Sequence, residues 1–458
     1  MINLERKIKL PLNVTTIINN LYDNNFEAFA VGGCIRDSLM GRIPSDWDIT
    51  TNANPMNVKV IFENQGFKVI ETGVKHGTVT VLIHKEPYEI TTYRIDGDYL
   101  DNRRPSEVIF TNDLKEDLLR RDFTINAMAY NDKVGLVDFY RGLEHLEAKI
   151  LCTVGNPEDR FTEDALRMLR AIRFSSTLKF SIPRDVEEAI KNNYSLLKSI
   201  SAERIRDEFI KIVVSPLPSY GIEKLCKLKL MNYIIPEILT LREFNQNNKD
   251  GNNYIYSHSM NVLDNVENFL ALRLSALLLN IGKLETLIDD KSTSEHFQGY
   301  NLVSERISRE VLIKLKFDNL TINRVSLLVK EYMLPQNLNS KKEIKNFIIK
   351  IGEENLKYFF NLVFADIKCT TNNDFHYKNI RKVEDICYEI LENREPLYVR
   401  DLLISGNDLI DLGLPKSKLI GETLNYLLLE VLQNPDLNKK EILLELAKKH
   451  CKVKENNL

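Results

Sequence analysis

Residues 29–55 constrain this chain more than any other stretch of its sequence. A short apolar run at 29–31 ends at Gly32 and Gly33, and a segment with helical spacing follows. Because glycine has no side chain, backbone N–H groups in such a turn can approach an anionic ligand at the start of a helix. The order predicts a strand, a tight turn and a helix, with Arg36 one turn into the helix and able to reach a phosphate.

Asp46 and Asp48 follow this helix-like segment and lie two residues apart. On a strand both side chains point to the same face, with about 6–7 Å between the two residues. Two carboxylates at that distance can share a pair of divalent cations, and oxygen ligands next to phosphate favour Mg²⁺. We therefore predict that Asp46 and Asp48 hold Mg²⁺ beside the glycine turn.

The combined pattern, GGxxRDxxxGxxxxDxD, resembles the signature of the DNA polymerase β-type nucleotidyltransferases. Its extended form is similar to the branch that contains bacterial CCA-adding enzymes and poly(A) polymerases. The resemblance covers residues 26–215 with specific motifs and continues more loosely to residue 450. It implies an α+β fold, in which a nucleotidyltransferase head with a small mixed sheet precedes a mostly α-helical neck, body and tail.

The resemblance also implies a domain order. We expect an Asn-rich segment at 245–254 to mark a boundary. The expected domains are a catalytic head at 1–150, a base-recognising neck at 151–240, a degenerate HD-like helical domain at 241–350, and a tRNA-binding body and tail at 351–458.

Two further segments of the head resemble family motifs. Glu89, in EITTYR, is the candidate third catalytic carboxylate, although a glutamate on a solvated strand face explains it equally well. The polar segment 94–110 resembles the flexible loop that the A-adding step needs and that CC-only enzymes have shortened.

The segment RRDFTINA resembles the family's ribose-selecting motif. Asp122 and Asn126 are four residues apart at a predicted helix start, so they share a face, with Arg121 adjacent. An arginine suits the triphosphate of a bound nucleotide, whereas a carboxylate and an amide suit the hydroxyl groups of its ribose.

The segment at 160–174, RFTEDALRMLRAIRF, predicts a helix on which Asp164, Arg167, Arg170 and Arg173 form a polar stripe. A solvated face with an Asp164–Arg167 ion pair would explain this spacing alone. The segment also resembles the family's amino-acid template, EDxxR, which implies that Asp164 and Arg167 read the base. Arg170 and Arg173 would then serve the triphosphate or stack on the base.

The chemistry of the bases fits such a template. Cytosine and adenine each present an amino donor beside a ring-nitrogen acceptor, whereas uracil and guanine reverse both groups. An aspartate acceptor next to an arginine donor therefore complements C and A and leaves buried polar groups unpaired against U and G.

The resemblance thus implies template-independent addition of CCA to the 3′ end of tRNA from CTP and ATP, by two-metal nucleotidyl transfer that releases pyrophosphate. An A-adding-only enzyme or a poly(A) polymerase would share every motif named above. A catalytically silent RNA-binding protein is less favoured, because both aspartates and the Asp164/Arg167 pair are present together.

An HD-type phosphohydrolase is a further alternative. His258 stands where that class has its first histidine, but Leu279 and Asn280 replace its His-Asp pair, and Tyr300 replaces another histidine. Leucine cannot bind a metal, and an amide is a poor substitute for a bridging carboxylate. We expect that this chemistry is lost and that the fold is retained for packing.

Composition limits the possible partners. A net charge of −3 argues against a globally basic nucleic-acid binder, so RNA must be bound by local basic patches. Six scattered cysteines without a C-x-x-C pair, and an N-terminus without an apolar core, predict a cytoplasmic protein. We expect tRNA, CTP and ATP as partners, with no membrane and no obligate protein partner.

Overall fold

The computed structural model describes residues 2–3, 6–97, 107–247, 255–288, 296–333, 338, 340–370 and 374–455. Most of the predicted flexible loop, at 98–106, and most of the Asn-rich segment, at 248–254, lie outside these residues. The chain divides into two compact units, residues 1–240 and 241–458.

The first unit begins with a mixed sheet of eight strands in the order β1-β10-β9-β2-β3-β6-β5-β4. Among the described strands of this sheet, only β3 and β6 pair in parallel, and the other neighbours are antiparallel. A separate ribbon joins β7 to β8. The strands are β1 (Ile2–Asn3), β2 (Ala28–Val31), β3 (Ile49–Thr51), β4 (Lys68–Gly73), β5 (Thr78–Ile83), β6 (Glu86–Thr92), β7 (Arg94–Asp96), β8 (Val108–Phe110), β9 (Met128–Asn131) and β10 (Gly135–Asp138).

Five helices accompany the strands, and a run of helices follows them. The first five are α1 (Leu12–Asp23), α2 (Gly33–Leu39), α3 (Pro55–Asn64), α4 (Leu114–Leu119) and α5 (Gly142–Ala148). The following six are α6 (Pro157–Glu163), α7 (Leu166–Leu178), α8 (Arg184–Asn193), α9 (Ala202–Val213), α10 (Pro218–Lys227) and α11 (Pro236–Asn247), the last of which crosses the boundary between the units.

The second unit is almost entirely helical in its described part. A two-stranded ribbon joins β11 (Leu287–Ile288) to β12 (His296–Phe297). The helices are α12 (Ile255–Asn265), α13 (Leu270–Leu278), α14 (Tyr300–Lys314), α15 (Asn319–Glu331), α16 (Lys341–Ile351), α17 (Glu353–Cys369), α18 (Asp374–Glu392), α19 (Gly406–Asp411), α20 (Lys418–Gln433) and α21 (Lys440–Glu455). None of the described helices is long and apolar enough to cross a membrane. The predicted α+β architecture, a mixed sheet followed by helices, is confirmed.

One predicted helix is wrong in detail. Residues 160–174 do not form a continuous helix, because α6 ends at Glu163 and α7 begins at Leu166. Asp164 takes an extended backbone conformation, with φ −134° and ψ 104°, and its carboxylate accepts from the N–H of Leu166 at 3.1 Å. Aspartate competes for backbone N–H groups in this way, which favours helix ends over helix interiors.

Candidate nucleotide-binding and catalytic site

The turn between β2 and α2 requires glycine at its first position. Gly32 has φ 85°, and a Cβ atom there would lie 2.9 Å from Nη1 of Arg121. A Cβ at Gly33 would meet only Arg36, at an ordinary 3.6 Å. The N–H of Gly32 donates to the carbonyl of Met128 at 3.2 Å. Gly32 therefore shapes the turn and makes room for Arg121, and its own N–H is already engaged.

The two predicted catalytic aspartates lie just before β3 and not within it. The segment nevertheless continues the pairing of β3 with β2, because the N–H of Val31 donates to the carbonyl of Asp48 at 3.0 Å. Ile49 lies opposite Ile90 in the parallel pair of β3 and β6. This register brings Glu89 alongside Asp48, next to the glycine turn.

The three carboxylates interact electrostatically. Partial desolvation raises the pKa of Asp48, and the charges of Asp46 and Glu89 raise it further, while the Arg121 guanidinium opposes them. Repulsion of this kind is relieved by a bound cation. Asp48 therefore lies at the centre of a locally negative site.

This donor set suits a hard cation. Carboxylate oxygens are the ligands that Mg²⁺ prefers, and it is commonly held by one or two protein carboxylates together with substrate phosphates. Within the described ranges, no three His, Cys, Asp or Glu side chains are grouped to hold one metal ion. Asp46 and Asp48 fit the role of a two-carboxylate site. Glu89 contributes charge beside them, without forming a three-ligand group.

Arg121 lies between the glycine turn and the acidic pair. Burial lowers the pKa of its guanidinium, whereas Asp117 and Asp48 raise it. Its Nη2 is 3.8 Å from a carboxylate oxygen of Asp117, and its Nε is buried without a hydrogen-bond partner in the described part of the chain. A buried, unsatisfied donor beside an acidic pair is suited to an incoming anionic ligand.

Arg36, Asn126 and Asp122 form one hydrogen-bonded row. Arg36 donates from Nη1 to Oδ1 of Asn126 at 2.6 Å. It also donates from Nε and Nη2 to the carboxylate of Asp37, at 2.9 and 2.8 Å. Asn126 in turn donates to Asp122 at 3.1 Å. The helix predicted here is a 3₁₀ helix of three residues, Thr124–Asn126, and the side chains of Asp122 and Asn126 meet as expected.

Asp122 also binds the helix α7. It accepts from Nε of Arg170 at 2.8 Å and from the N–H of Phe123 at 2.8 Å. Burial alone would raise the pKa of this carboxyl, but Arg170, Asn126 and the N–H of Phe123 outweigh it and hold the pKa at about 2. Asp122 is therefore an ionised acceptor throughout the neutral range.

Two arginines of the predicted polar stripe, together with Arg36, gather around an aromatic ring that the sequence reasoning missed. The guanidinium carbons of Arg36, Arg170 and Arg173 lie 5.1, 5.5 and 4.1 Å from the ring centroid of Phe174. Burial and the charges of its two neighbours lower the pKa of Arg173 to about 10, although Glu208 pairs with it at 3.0 Å. The spacing of Arg170 and Phe174, four residues apart on a helix, was the available signal.

Asp164 and Arg167 are not paired with each other. Arg167 is only 8% exposed, forms an ion pair with Glu163 and donates to the carbonyl of Arg120 at 2.9 Å. Asp164 accepts instead from Arg204 at 3.2 Å. The alternative of a solvated face with an Asp164–Arg167 ion pair is therefore wrong, and base recognition by these two residues stays a prediction.

His258 and Tyr332 of the HD-like region bind a carboxylate that lies beyond residue 350. His258 Nε2 lies 2.6 Å from a carboxylate oxygen of Asp366, and the hydroxyl of Tyr332 donates to the other oxygen. Asn280 donates to Ser259 at 3.1 Å, and Leu279 is buried. Sequence reasoning missed Asp366, which lies 108 residues from His258 and carries no local motif.

Two family models match this chain. The Poly A polymerase head domain matches residues 28–152, and the probable RNA and SrmB-binding site of polymerase A matches residues 179–241.

Curated relatives match over half or nearly all of their length. The CCA-adding enzyme of Lactobacillus helveticus is 49% identical over 47% of this chain and 53% of the relative. That of Lactobacillus johnsonii is 49% identical over 44% of this chain and 49% of the relative, so the chain spans about half of each. The CCA-adding enzyme of Ligilactobacillus salivarius is 33% identical over 94% of this chain and 95% of its own.

Solved structures share the fold. The CCA-adding enzyme of Bacillus stearothermophilus in complex with CTP has a TM-score of 0.71, with 26% identity over 98% of this chain and 100% of that one. The Thermotoga maritima CCA-adding enzyme complexed with tRNA has a TM-score of 0.60, with 20% identity over 95% of this chain and 94% of that one.

Proposed function

The chain belongs to the family of CCA-adding enzymes, and we propose that it adds CCA to the 3′ end of tRNA from CTP and ATP without a nucleic-acid template. The observation that carries this proposal is the similarity to the Ligilactobacillus salivarius enzyme along nearly the whole of both chains. We assign catalysis to the head at 1–150, base recognition to the neck at 151–240, and tRNA binding to the body and tail at 351–458. The degenerate HD-like domain at 241–350 has a packing role in this assignment.

The family uses a divalent metal, and we infer that Asp46 and Asp48 hold Mg²⁺. When bound, the ions supply Lewis-acid activation of the attacking 3′-hydroxyl and neutralise charge on the triphosphate and the leaving pyrophosphate. Asp46 and Asp48 provide the oxygen ligands. Glu89 adds negative charge beside Asp48, which strengthens the attraction for cations.

Two arginines bind the triphosphate in this proposal. Arg121 interacts electrostatically with Asp48, and its Nε has no hydrogen-bond partner in the described part of the chain. Arg36 is fixed by Asp37 and Asn126 and by its contact with the ring of Phe174. A guanidinium held in place loses little conformational entropy when it binds phosphate, and its charge-assisted hydrogen bonds are strong.

Asp122 and Asn126 orient the ribose. The ionised Asp122 carboxylate can only accept hydrogen bonds, so it suits the hydroxyl groups of the sugar. Arg170 fixes the carboxylate from the side of α7, and Asn126 links it to Arg36. Sugar and phosphate binding are thus coupled through one row of side chains.

Asp164 and Arg167 select the base. Asp164 is an acceptor at the break between α6 and α7, where Arg204 holds it. Arg167 must exchange its bond to the Arg120 carbonyl for one to the base. A cytosine or adenine satisfies both groups, whereas uracil or guanine leaves both unpaired, at a cost sufficient for strong discrimination.

The proposal is tested by incubating the protein with tRNA that lacks CCA and with each nucleotide separately and together, followed by gel analysis of the product length. We expect CTP alone to add C residues and CTP with ATP to complete CCA, while UTP and GTP add nothing. Incorporation of AMP without CMP would contradict the proposal and indicate an A-adding enzyme. We also propose a cytoplasmic location, as expected of an enzyme that processes tRNA.

A further inference from the structure

The second unit contains a cavity of about 900 Å³ outside the residues assigned to catalysis. Its walls are formed by the end of α12, the second half of α17 and the start of α18. This volume is within the ~300–1,000 Å³ that is typical of sites for small organic ligands. Its lining includes Asn265, Asn361, Lys368, Phe375, Tyr377 and Arg381.

One wall of this cavity is aromatic and carries a fixed arginine. The rings of Phe364 and Tyr377 lie 5.0 Å apart, and the Arg381 guanidinium lies 4.3 Å from the centroid of Phe364. Arg381 also donates to the hydroxyl of Tyr377 at 2.9 Å and pairs with Glu384. The cation is therefore held over aromatic faces, an arrangement that adds cation–π attraction to any ring stacked there.

Two aromatic side chains at this cavity face solvent. Phe375 is 78% exposed and Tyr377 is 39% exposed. Covering an exposed phenylalanine ring is favourable because it removes apolar surface from water. The exposed ring of Phe375 at the edge of this cavity is thus suited to hold a flat ligand.

The charge of this surface favours an anionic partner. Lys368 and Arg381 line the cavity, and Lys378 and Lys382 are exposed on α18, whereas Asp374 is the acidic residue in the lining. Glu384 pairs with Arg381, and Asp385 is also exposed on α18, so the excess of positive charge here comes from the exposed Lys368, Lys378 and Lys382. Basic residues interleaved with aromatic ones are typical of surfaces that bind single-stranded nucleic acid.

We propose that this cavity binds an unpaired nucleotide of the tRNA, with the base stacked on Phe375 and the backbone phosphates at Lys368 and Arg381. Proteins read RNA mostly through unstacked bases held on aromatic or arginine planes. Asn361 accepts from the N–H of Glu267 at 3.1 Å, which fixes its amide beside the base edge. The inference rests on the proposed tRNA substrate and adds a binding site in the second unit, whereas the acidic pair belongs to the first.

The test measures the affinity of the full-length protein for tRNA lacking CCA by fluorescence anisotropy at fixed salt. Phe375→Ala should weaken binding at least about fivefold, as the loss of one stacked base requires. Phe375→Tyr, which keeps a ring, should retain wild-type affinity. Tyr388→Ala is the matched control, because Tyr388 lies on the same helix, is 37% exposed and is not among the lining residues.

Unchanged tRNA affinity in Phe375→Ala, or an equal loss of affinity in Tyr388→Ala, would overturn the proposal. Loss of affinity in Lys368→Ala and Arg381→Ala but not in Phe375→Ala would also overturn it, because it would indicate phosphate contact without stacking. A Phe375→Ala variant that binds tRNA normally but has a smaller oligomeric mass would indicate a protein partner instead. Incorporation of CMP and AMP separates this proposal from the proposed function. Phe375-dependent tRNA binding without incorporation would refute only the function, and normal incorporation with Phe375-independent binding would refute only this site.

Discussion

Arg170 donates from Nε to the carboxylate of Asp122 at 2.8 Å across 48 residues of sequence. The bond joins α7 to the 3₁₀ turn that carries Asn126, so the groups assigned to the ribose are fixed from the helical part of the first unit. Asp122 is buried, and its ionised form depends on this partner.

Loss of Arg170 should cost both stability and activity. Arg170→Ala leaves the buried Asp122 carboxylate without one of its cationic partners, so we expect the free energy of unfolding to fall by about 2–3 kcal/mol. This is less than the full cost of breaking a buried ion pair, because a third of the Arg170 side chain is exposed. Urea denaturation measures this. The double variant Asp122→Asn/Arg170→Ala should regain part of the stability but none of the activity; a double variant no more stable than Arg170→Ala would contradict this account.

The same carboxylate makes stability depend on pH. The pKa of Asp122 is lowered from its ordinary 3.8 to about 2, so the folded state holds its proton less tightly than the unfolded state does. The stabilisation is present above pH 3.8 and is lost as pH falls towards 2, and it amounts to about 2 kcal/mol. Unfolding free energies of wild type and Asp122→Asn should converge over this range. Parallel curves would contradict the prediction, and Asp23→Asn, at an exposed site, is the control.

Asp46→Ala should abolish nucleotide incorporation and leave the fold intact. Asp46 is exposed, and its bond in the head is to the neighbouring Ser45, at 2.7 Å. Its removal should shift the melting temperature little while eliminating a metal ligand. Incorporation of labelled CMP and thermal melting measure the two effects. Asp23→Ala, another exposed aspartate of the head, should behave as wild type, and residual wild-type activity in Asp46→Ala would refute the assignment.

Gly32 and Gly33 should respond differently to alanine. Gly32→Ala places a side chain at φ 85° and 2.9 Å from Arg121, so we expect a loss of about 1–3 kcal/mol in stability together with reduced incorporation. Gly33→Ala is the matched control, because its Cβ would make an ordinary contact at 3.6 Å. Denaturation and single-turnover incorporation check both variants. Equal effects of the two substitutions would show that the turn geometry is not the reason for Gly32.

Asp164→Asn should relax base selection. The amide replaces one carboxylate oxygen, an acceptor, by an NH2 group, a donor, so uracil gains a hydrogen bond that the carboxylate denies it. We expect the ratio of kcat/KM for CTP over UTP to fall by about tenfold or more. Arg204→Ala, which removes the neighbour of Asp164 but not the carboxylate, separates positioning from reading. An unchanged ratio in Asp164→Asn would exclude Asp164 as a reader of the base.

The parts of the site that short-range spacing specifies were predictable. The glycine turn, Arg36 and the two aspartates lie within one strand–turn–helix–strand unit, where geometry follows from residue separation. The contacts of Arg36 with Asn126 and of Asp122 with Arg170 were not, because they join segments 90 and 48 residues apart.

The remaining errors have local causes. The break at Asp164 was misread as helix because the three-residue spacing of charges hid a capping aspartate. Asp366, which binds His258, has no motif of its own and emerges only when α12 and α17 pack together.

The ring of Phe174 has a consequence for how this protein can change. It contacts three guanidinium groups, two from α7 and one from α2. Replacing Phe174 would change the ring contact of all three arginines at once, so a change in this ring cannot affect one arginine without the other two. Sequence change at Phe174 is therefore restricted by its contacts with three arginines, and a compensating change would have to occur on both α2 and α7.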